Sequence, residues 1–147
     1  TMLAAEQLLW ESPFPTTAIR FSGIYGDSRG GHLAAVLREG RISPETPLRY
    51  SNRIHVADCV AMISHLFQRY SAGLNPEPCY LGSDMSPAPL HEVMQYLAQR
   101  LGLDSKALTA DYLPARGGNK RCSSARIQSE GFSFRYPSYR EGYALAC

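Results

Sequence analysis

The stretch TAIRFSGIYG, residues 17–26, predicts a short buried strand followed by a glycine-containing loop. The isoleucine, threonine and phenylalanine content of Thr17–Phe21 suits a strand, and its length suits a parallel one. Residues 22–25 open the predicted loop. Because ligands bind beyond the carboxyl ends of parallel strands, this loop is a candidate ligand contact.

The composition describes a folded protein without an extreme charge. The chain has 147 residues, of which 44% are apolar and 19% are charged, as is typical of a globular domain. Its net charge of +2 is too small to indicate a nucleic-acid or membrane partner. The four cysteines show no C-x-x-C spacing, which favours reduced thiols in a cytoplasmic protein. The four histidines show no metal-ligand spacing, so no metal site is predicted.

Two longer segments carry a helical period. Apolar residues spaced 4, 3, 4 and 3 from Val56 to Tyr70 predict a helix, and a second apolar stripe runs from Leu90 to Leu101. Both stripes are predicted to face the core. The strand-like CYLGSD, residues 79–84, lies between the two helices. This alternation of strand and helix predicts an α/β fold with parallel pairing.

Other segments are less regular. TMLAAEQLLW starts within a predicted helix that Pro13 ends, and such an opening suggests part of a longer protein. A short helix is predicted over residues 32–39, and Arg41–Arg53 is predicted to be irregular. Arg20, among apolar residues of the first strand, is interpreted as a structural ion pair in preference to a substrate contact.

The segments AAEQLL, TTAIRFSGIYG, NRIHVADCVAMI, YLGSD and PLHEVMQYLAQRLGL, in this order, resemble the C-terminal half of the NAD(P)-dependent epimerase/dehydratase family. These are extended short-chain dehydrogenases/reductases. The resemblance implies that residues 1–147 form the last strands and helices of a doubly wound Rossmann-like parallel sheet, with a small substrate-binding subdomain. Thr17–Phe21 would be the sixth strand and Cys79–Gly82 the seventh. The N-terminal cofactor-binding half would be absent.

The same resemblance implies two groups of site residues. The loop after the sixth strand would lie beside the nicotinamide of NAD or NADP, and its residues are Ser22, Gly23, Ile24 and Tyr25. Without the resemblance, this loop would be interpreted as a plain turn with a packed tyrosine. Arginine suits the binding of a diphosphate, and the polar cluster before the long helix would bind substrate through Asn52, Arg53 and His55. The alternative for this cluster is a solvated loop with one hydrogen-bonded histidine.

Two family features are missing from these residues. No G-x-G-x-x-G or G-x-x-G-x-x-G phosphate loop occurs. The lysine of the family's catalytic Tyr-x-x-x-Lys pair would fall at Met2, and its tyrosine before the first residue. No catalytic residue is therefore predicted, and the chain alone is expected to be inactive and to bind no cofactor tightly. The expected partner is a missing N-terminal half or a second copy of the chain.

The function implied is that of a fragment of an NAD(P)-dependent epimerase, dehydratase or reductase. Its substrate would be a small molecule with a hydroxyl or carbonyl group, such as a nucleotide sugar. The alternative is a non-catalytic ligand-binding or interaction module that keeps only the substrate domain. A third, weaker hypothesis is an anion-binding protein that uses Lys120, Arg121 and Arg126, although solvation of these side chains is favoured.

Overall fold

A computed structural model describes residues 1–26, 31–114 and 118–144. These residues form a mixed α/β structure with three two-stranded sheets. The helices are α1 (Met2–Trp10), α2 (Gly31–Arg38), α3 (Val56–Ser71), α4 (Leu90–Arg100), α5 (Ala125–Ser129) and α6 (Tyr139–Ala144). The strands are β1 (Ala18–Phe21), β2 (Gly23–Tyr25), β3 (Tyr50–Ser51), β4 (Arg53–His55), β5 (Cys79–Gly82) and β6 (Ala88–Pro89). None of the helices in the described ranges is long and apolar enough to cross a membrane.

The extended run from β1 to β2 changes its pairing partner at Ser22. β1 pairs in parallel with β5, which confirms the predicted parallel pairing, and β2 pairs in parallel with β4. The Ser22 N–H donates to the Gly82 carbonyl at 2.8 Å. The prediction of a loop over residues 22–25 is therefore wrong for β2. The backbone groups of β2 form hydrogen bonds with β4. β4 begins at Arg53, the last residue of the stretch that was predicted to be irregular.

Two apolar clusters form the core. The first surrounds α4, whose Val93, Met94 and Leu97 are at most 1% exposed, and includes Leu37 of α2 and Tyr143 of α6. The prediction that the α4 stripe is core is confirmed. The second cluster covers one face of the β1–β5 pair, and its members are Met62, Leu66, Tyr80, Ile127 and Phe132.

The predicted core stripe of α3 is instead exposed. Val60 is 61% exposed and Phe67 is 70% exposed, and the other stripe residues are Val56, Ile63 and Tyr70, all at least 40% exposed. The buried residues of α3 are Asp58, Cys59, Met62 and Leu66. The helix therefore has two apolar faces. Within the described residues, the face that contains Met62 and Leu66 is buried, and the more regularly spaced stripe from Val56 to Tyr70 is exposed. The prediction that this stripe faces the core is therefore wrong.

The first helix is loosely attached. α1 has no buried residue, and its Leu8 is 71% exposed. Side-chain hydrogen bonds hold it to β1 and to the residue before β5: Arg20 Nε donates to Glu6 Oε1 at 3.1 Å, and Trp10 Nε1 donates to the Pro78 carbonyl at 3.2 Å. The ion-pair interpretation of Arg20 is confirmed, although this arginine is partly exposed instead of buried.

Candidate functional site

A cavity of about 480 Å³ opens where the extended run changes partner. It lies at the carboxyl ends of β1 and β5, where Phe21, Ser22 and Gly23 form one side. Gly82 and Ser83 of the neighbouring strand end lie beside them. The approach of β1 and β5 is close here, because a β-carbon at Gly82 would overlap the Phe21 ring. The cavity therefore occupies the place where parallel sheets bind ligands.

Two other segments complete the cavity. Residues 49–52 line it ahead of β4, and Gly118, Lys120 and Cys122 line it from the C-terminal part of the chain. Arg49 and Lys120 bring positive charge to the wall, whereas the charge of Arg20 is paired with Glu6. Among the described residues no aspartate or glutamate lines the cavity. A ligand with an anionic group would fit this distribution of charge.

The four residues predicted to contact a cofactor separate into two kinds. Ser22 and Gly23 line the cavity, and Ile24 is 38% exposed on β2. Tyr25 is only 3% exposed, and its hydroxyl donates to the Ser138 carbonyl at 3.4 Å. Burial is the largest cause that raises the pKa of Tyr25. The Tyr25 side chain thus packs under the C-terminal helix, away from the cavity.

The three residues predicted to bind substrate separate in the same way. Asn52 lines the cavity, but Arg53 is 3% exposed and His55 is 5% exposed, and neither lines it. Arg53 Nη2 donates to the Ser51 carbonyl at 2.7 Å. His55 Nδ1 accepts from the Ala57 N–H at 3.2 Å, which caps α3. Both buried side chains support the backbone next to the cavity.

Arg53 belongs to a buried charged cluster behind the cavity. Its Nη1 lies 3.8 Å from Asp84 Oδ2, and its guanidinium lies 5.2 Å from the Tyr139 ring centroid. The Arg53 carbonyl accepts from the Asp84 N–H at 2.7 Å, so the two residues are joined by backbone as well as by charge. Burial raises the pKa of Asp84 to about 6, and the charge of Arg53 opposes that rise. This cluster ties the ends of β4 and β5 to α6.

The basic residues of the C-terminal part have different roles. Lys120, for which solvation was favoured, lines the cavity. The Arg121 guanidinium lies 5.3 Å from the Tyr50 ring centroid, and Arg126 Nη1 donates to the Cys79 carbonyl at 2.6 Å. Arg49 was not singled out, because an arginine in an irregular segment carries no spacing signal. In the described ranges no group of three or more His, Cys, Asp or Glu residues could hold a metal ion.

Solved structures similar to the chain cover nearly all of it. A protein of Methylobacillus flagellatus described as an NAD-dependent epimerase/dehydratase is 32% identical over 99% of this chain, with a TM-score of 0.73. The chain is similar to members of the NAD-dependent epimerase/dehydratase family. It spans about half of that relative, 50% of its length, and matches the C-terminal half of the family.

Other structures extend the match to this family. A conserved protein of unknown function from Silicibacter pomeroyi is 31% identical, with a TM-score of 0.77 over 98% of this chain and 53% of its own. The dTDP-glucose 4,6-dehydratase of Bacillus anthracis, solved with NAD, is 15% identical over 96% of this chain and 46% of its own, with a TM-score of 0.72. The latter shows the Rossmann-like fold alone. No protein-family model matches the sequence, and no curated protein matches it.

Proposed function

We propose that residues 1–147 are the C-terminal portion of an NAD(P)-dependent epimerase, dehydratase or reductase and provide the substrate side of its active site. The observation that carries this proposal is the cavity at the carboxyl ends of β1 and β5, in a chain that is 32% identical to half of an epimerase/dehydratase relative.

The lining supports a substrate with an anionic group. Arg49 and Lys120 face the cavity without a carboxylate among the described lining residues. A nucleotide sugar, which carries a diphosphate beside hydroxyl groups, has this chemistry. Two kinds of residue would then serve this substrate. Asn52 would form part of the cavity wall. The buried Arg53 and His55 would hold the backbone that supports this wall.

The cofactor would approach the same cavity at β2. When bound, the nicotinamide supplies hydride transfer to or from a substrate carbon. Ser22 and Gly23 lie in the wall, but their N–H groups already donate to the Gly82 and Asn52 carbonyls. These two residues could therefore contact the nicotinamide end of a cofactor. They are not suited to binding its phosphates, because their backbone N–H groups are already used. Ile24 is the exposed neighbour on the same strand, and Tyr25 supports this strand from behind.

A second half would complete this site. The relatives are about twice as long as the chain, and α1 and the stripe of α3 expose large apolar side chains. Within the described residues, β1 and β5 form a sheet of two strands, so each keeps an edge without a partner strand. The N-terminal half of the protein would cover this surface and supply the phosphate loop and the acid–base group. A second copy of the chain would cover the surface without supplying the phosphate loop, because these residues contain none.

The alternative is a ligand-binding module without chemistry. It is favoured by one observation: residues of this chain alone form a cavity of about 480 Å³, a size within the range of small-molecule sites. The two hypotheses differ in their need for a nicotinamide cofactor.

A chimera tests the proposal. The N-terminal half of the Methylobacillus flagellatus relative is fused ahead of residue 1, and NADH and NADPH are titrated by calorimetry into the chimera and into residues 1–147. We expect the chimera to bind one of the cofactors and the chain alone to bind neither tightly. Tight binding by the chain alone would contradict the proposal, and a folded chimera without cofactor binding would favour the module.

The anionic part of the proposal has its own test. Lys120→Ala should weaken the binding of UDP to the chimera about tenfold, the loss of one charge-assisted contact. Arg126→Ala is the matched control, because Arg126 binds the Cys79 carbonyl and does not line the cavity. Equal effects of the two variants would show that UDP does not bind at this wall.

A further inference from the structure

One wall of the cavity is joined to the rest of the chain by two asparagine side chains. Asn52 Nδ2 donates to the Lys120 carbonyl at 2.8 Å, and Asn52 Oδ1 accepts from the Cys122 N–H at 2.7 Å. The Asn119 side chain makes the reciprocal hydrogen bonds, from the second segment to the backbone of the first. Its Oδ1 accepts from the Tyr50 N–H at 2.8 Å, and its Nδ2 donates to the Leu48 carbonyl at 2.9 Å.

These four hydrogen bonds form a reciprocal clip between two segments. Residues 48–52 provide one asparagine and residues 118–122 provide the other. The side-chain oxygen and nitrogen of each asparagine both form hydrogen bonds with the backbone of the opposite segment. Within the described residues no strand pairing joins the two segments. The Arg121 guanidinium, 5.3 Å from the Tyr50 ring centroid, adds a further contact between the two segments. The clip therefore takes the place of a strand ladder.

We propose that Asn52 and Asn119 are positioning residues that hold residues 118–122 as a wall of the cavity and so present Lys120 to its ligand. The proposal rests on the proposed function only in taking the cavity as a ligand site. It changes the role of Asn52 from a substrate contact to a support, because the side-chain oxygen and nitrogen of Asn52 are both engaged by backbone.

The position of the wall can be measured without a ligand. Cys122 lies in the wall and is partly exposed, so its rate of alkylation reports whether residues 118–122 stay in place. Cys79 is also partly exposed but lies on β5, and its rate reports the sheet. Iodoacetamide labelling, resolved by peptide mass spectrometry, gives the two rates in the same sample of residues 1–147.

The variants are Asn52→Ala and Asn119→Ala, and the matched control is Asn75→Ala. Asn75 is an exposed asparagine ahead of β5 that does not line the cavity. We expect each clip variant to raise the Cys122 rate about tenfold, the effect of losing two modest hydrogen bonds, with the Cys79 rate unchanged. The double variant should raise the Cys122 rate by less than the product of the two single effects, because both asparagines hold one segment.

Binding of inorganic pyrophosphate to the same variants supplies the second readout. We expect the clip variants to bind it about tenfold more weakly and Asn75→Ala to bind it as the parent does. An unchanged Cys122 rate, or equal rises for Cys122 and Cys79, would overturn the proposal. A faster Cys122 with unchanged pyrophosphate affinity would overturn the presenting role of Lys120. A parent chain that binds no pyrophosphate would contradict the anionic substrate instead, and the labelling rates would still decide the clip.

Discussion

Tyr25 and Gly142 pack so closely that a β-carbon at position 142 would overlap the phenol ring of Tyr25. The contact joins β2, next to the cavity, to α6 near the C-terminal end of the described chain. Tyr143 adds a ring contact with a centroid distance of 4.6 Å to Tyr25. The C-terminal helix is therefore seated on the strand by an aromatic side chain that accepts only a glycine above it.

Gly142→Ala should destabilise the chain by about 1–3 kcal/mol, the usual cost of overpacking. Helix propensity alone predicts the opposite effect, because alanine in place of glycine would stabilise a helix by about 1 kcal/mol. Gly31→Ala in α2 is the matched control, because a β-carbon there would meet nothing within 4 Å. Urea denaturation measures both. The packing would be refuted if the two variants changed the free energy of unfolding alike.

Asp84 should make the stability of the chain depend on pH. Its pKa is raised to about 6 by burial, so the folded state holds this proton more tightly than the unfolded state does. The contribution of Asp84 to the free energy of unfolding should therefore fall as pH rises from about 4 to about 6, by up to about 3 kcal/mol. Urea denaturation at several pH values, compared with Asp84→Asn, isolates this fall. A difference between parent and variant that stays constant over this range would contradict it.

Asp58 should hold the C-terminal part of the chain to α3. Its carboxylate is fully buried and accepts from the Arg135 N–H at 2.8 Å and from the Tyr136 N–H at 2.9 Å. Asp58→Asn keeps one acceptor but turns an amide N–H₂ towards a backbone N–H, which should cost about 1–3 kcal/mol. Limited proteolysis should cut the variant near residue 135 faster than the parent. Cleavage at the parent rate would argue against this role.

The two faces of α3 should respond differently to substitution. Phe67→Glu on the exposed stripe should change the free energy of unfolding by less than about 0.5 kcal/mol, whereas Met62→Ala on the buried face should cost about 2–5 kcal/mol. Phe67 is 70% exposed and Met62 is 0% exposed. Light scattering should show less self-association for Phe67→Glu than for the parent chain. Large destabilisation by Phe67→Glu would mean that the stripe is covered within the chain itself.

Sequence patterns predicted the helices well and their covered faces less well. α4 has a single apolar face, so the face that the apolar spacing predicts to be core is the face that is buried. α3 carries a second apolar face at Cys59, Met62 and Leu66, and the period alone does not say which face packs on the sheet. Burial depends on what lies opposite, which is a property of the tertiary structure.

The site shows the same limit at the level of single residues. Ser22, Gly23 and Asn52 were predicted as site residues from the family resemblance, and the position of the first two after a strand supported that prediction. All three line the cavity, and their contact with a ligand stays a prediction. Arg53 and His55 share the chemistry of ligand contacts, but the sequence does not show that Asp84 and Tyr136 would enclose them. Lys120 reaches the cavity through hydrogen bonds between residues about seventy positions apart, and no local signal marks such a contact.

The exposed stripe of α3 also determines how another helix could lie against it. Its residues recur every 3.5 positions on average, from Val56 to Tyr70, along a helix of 16 residues. This is the spacing of side chains that interdigitate between two helices crossing at about 20°. A helix that covers the stripe would therefore run nearly alongside α3 for roughly 24 Å, and not cross it at a single point.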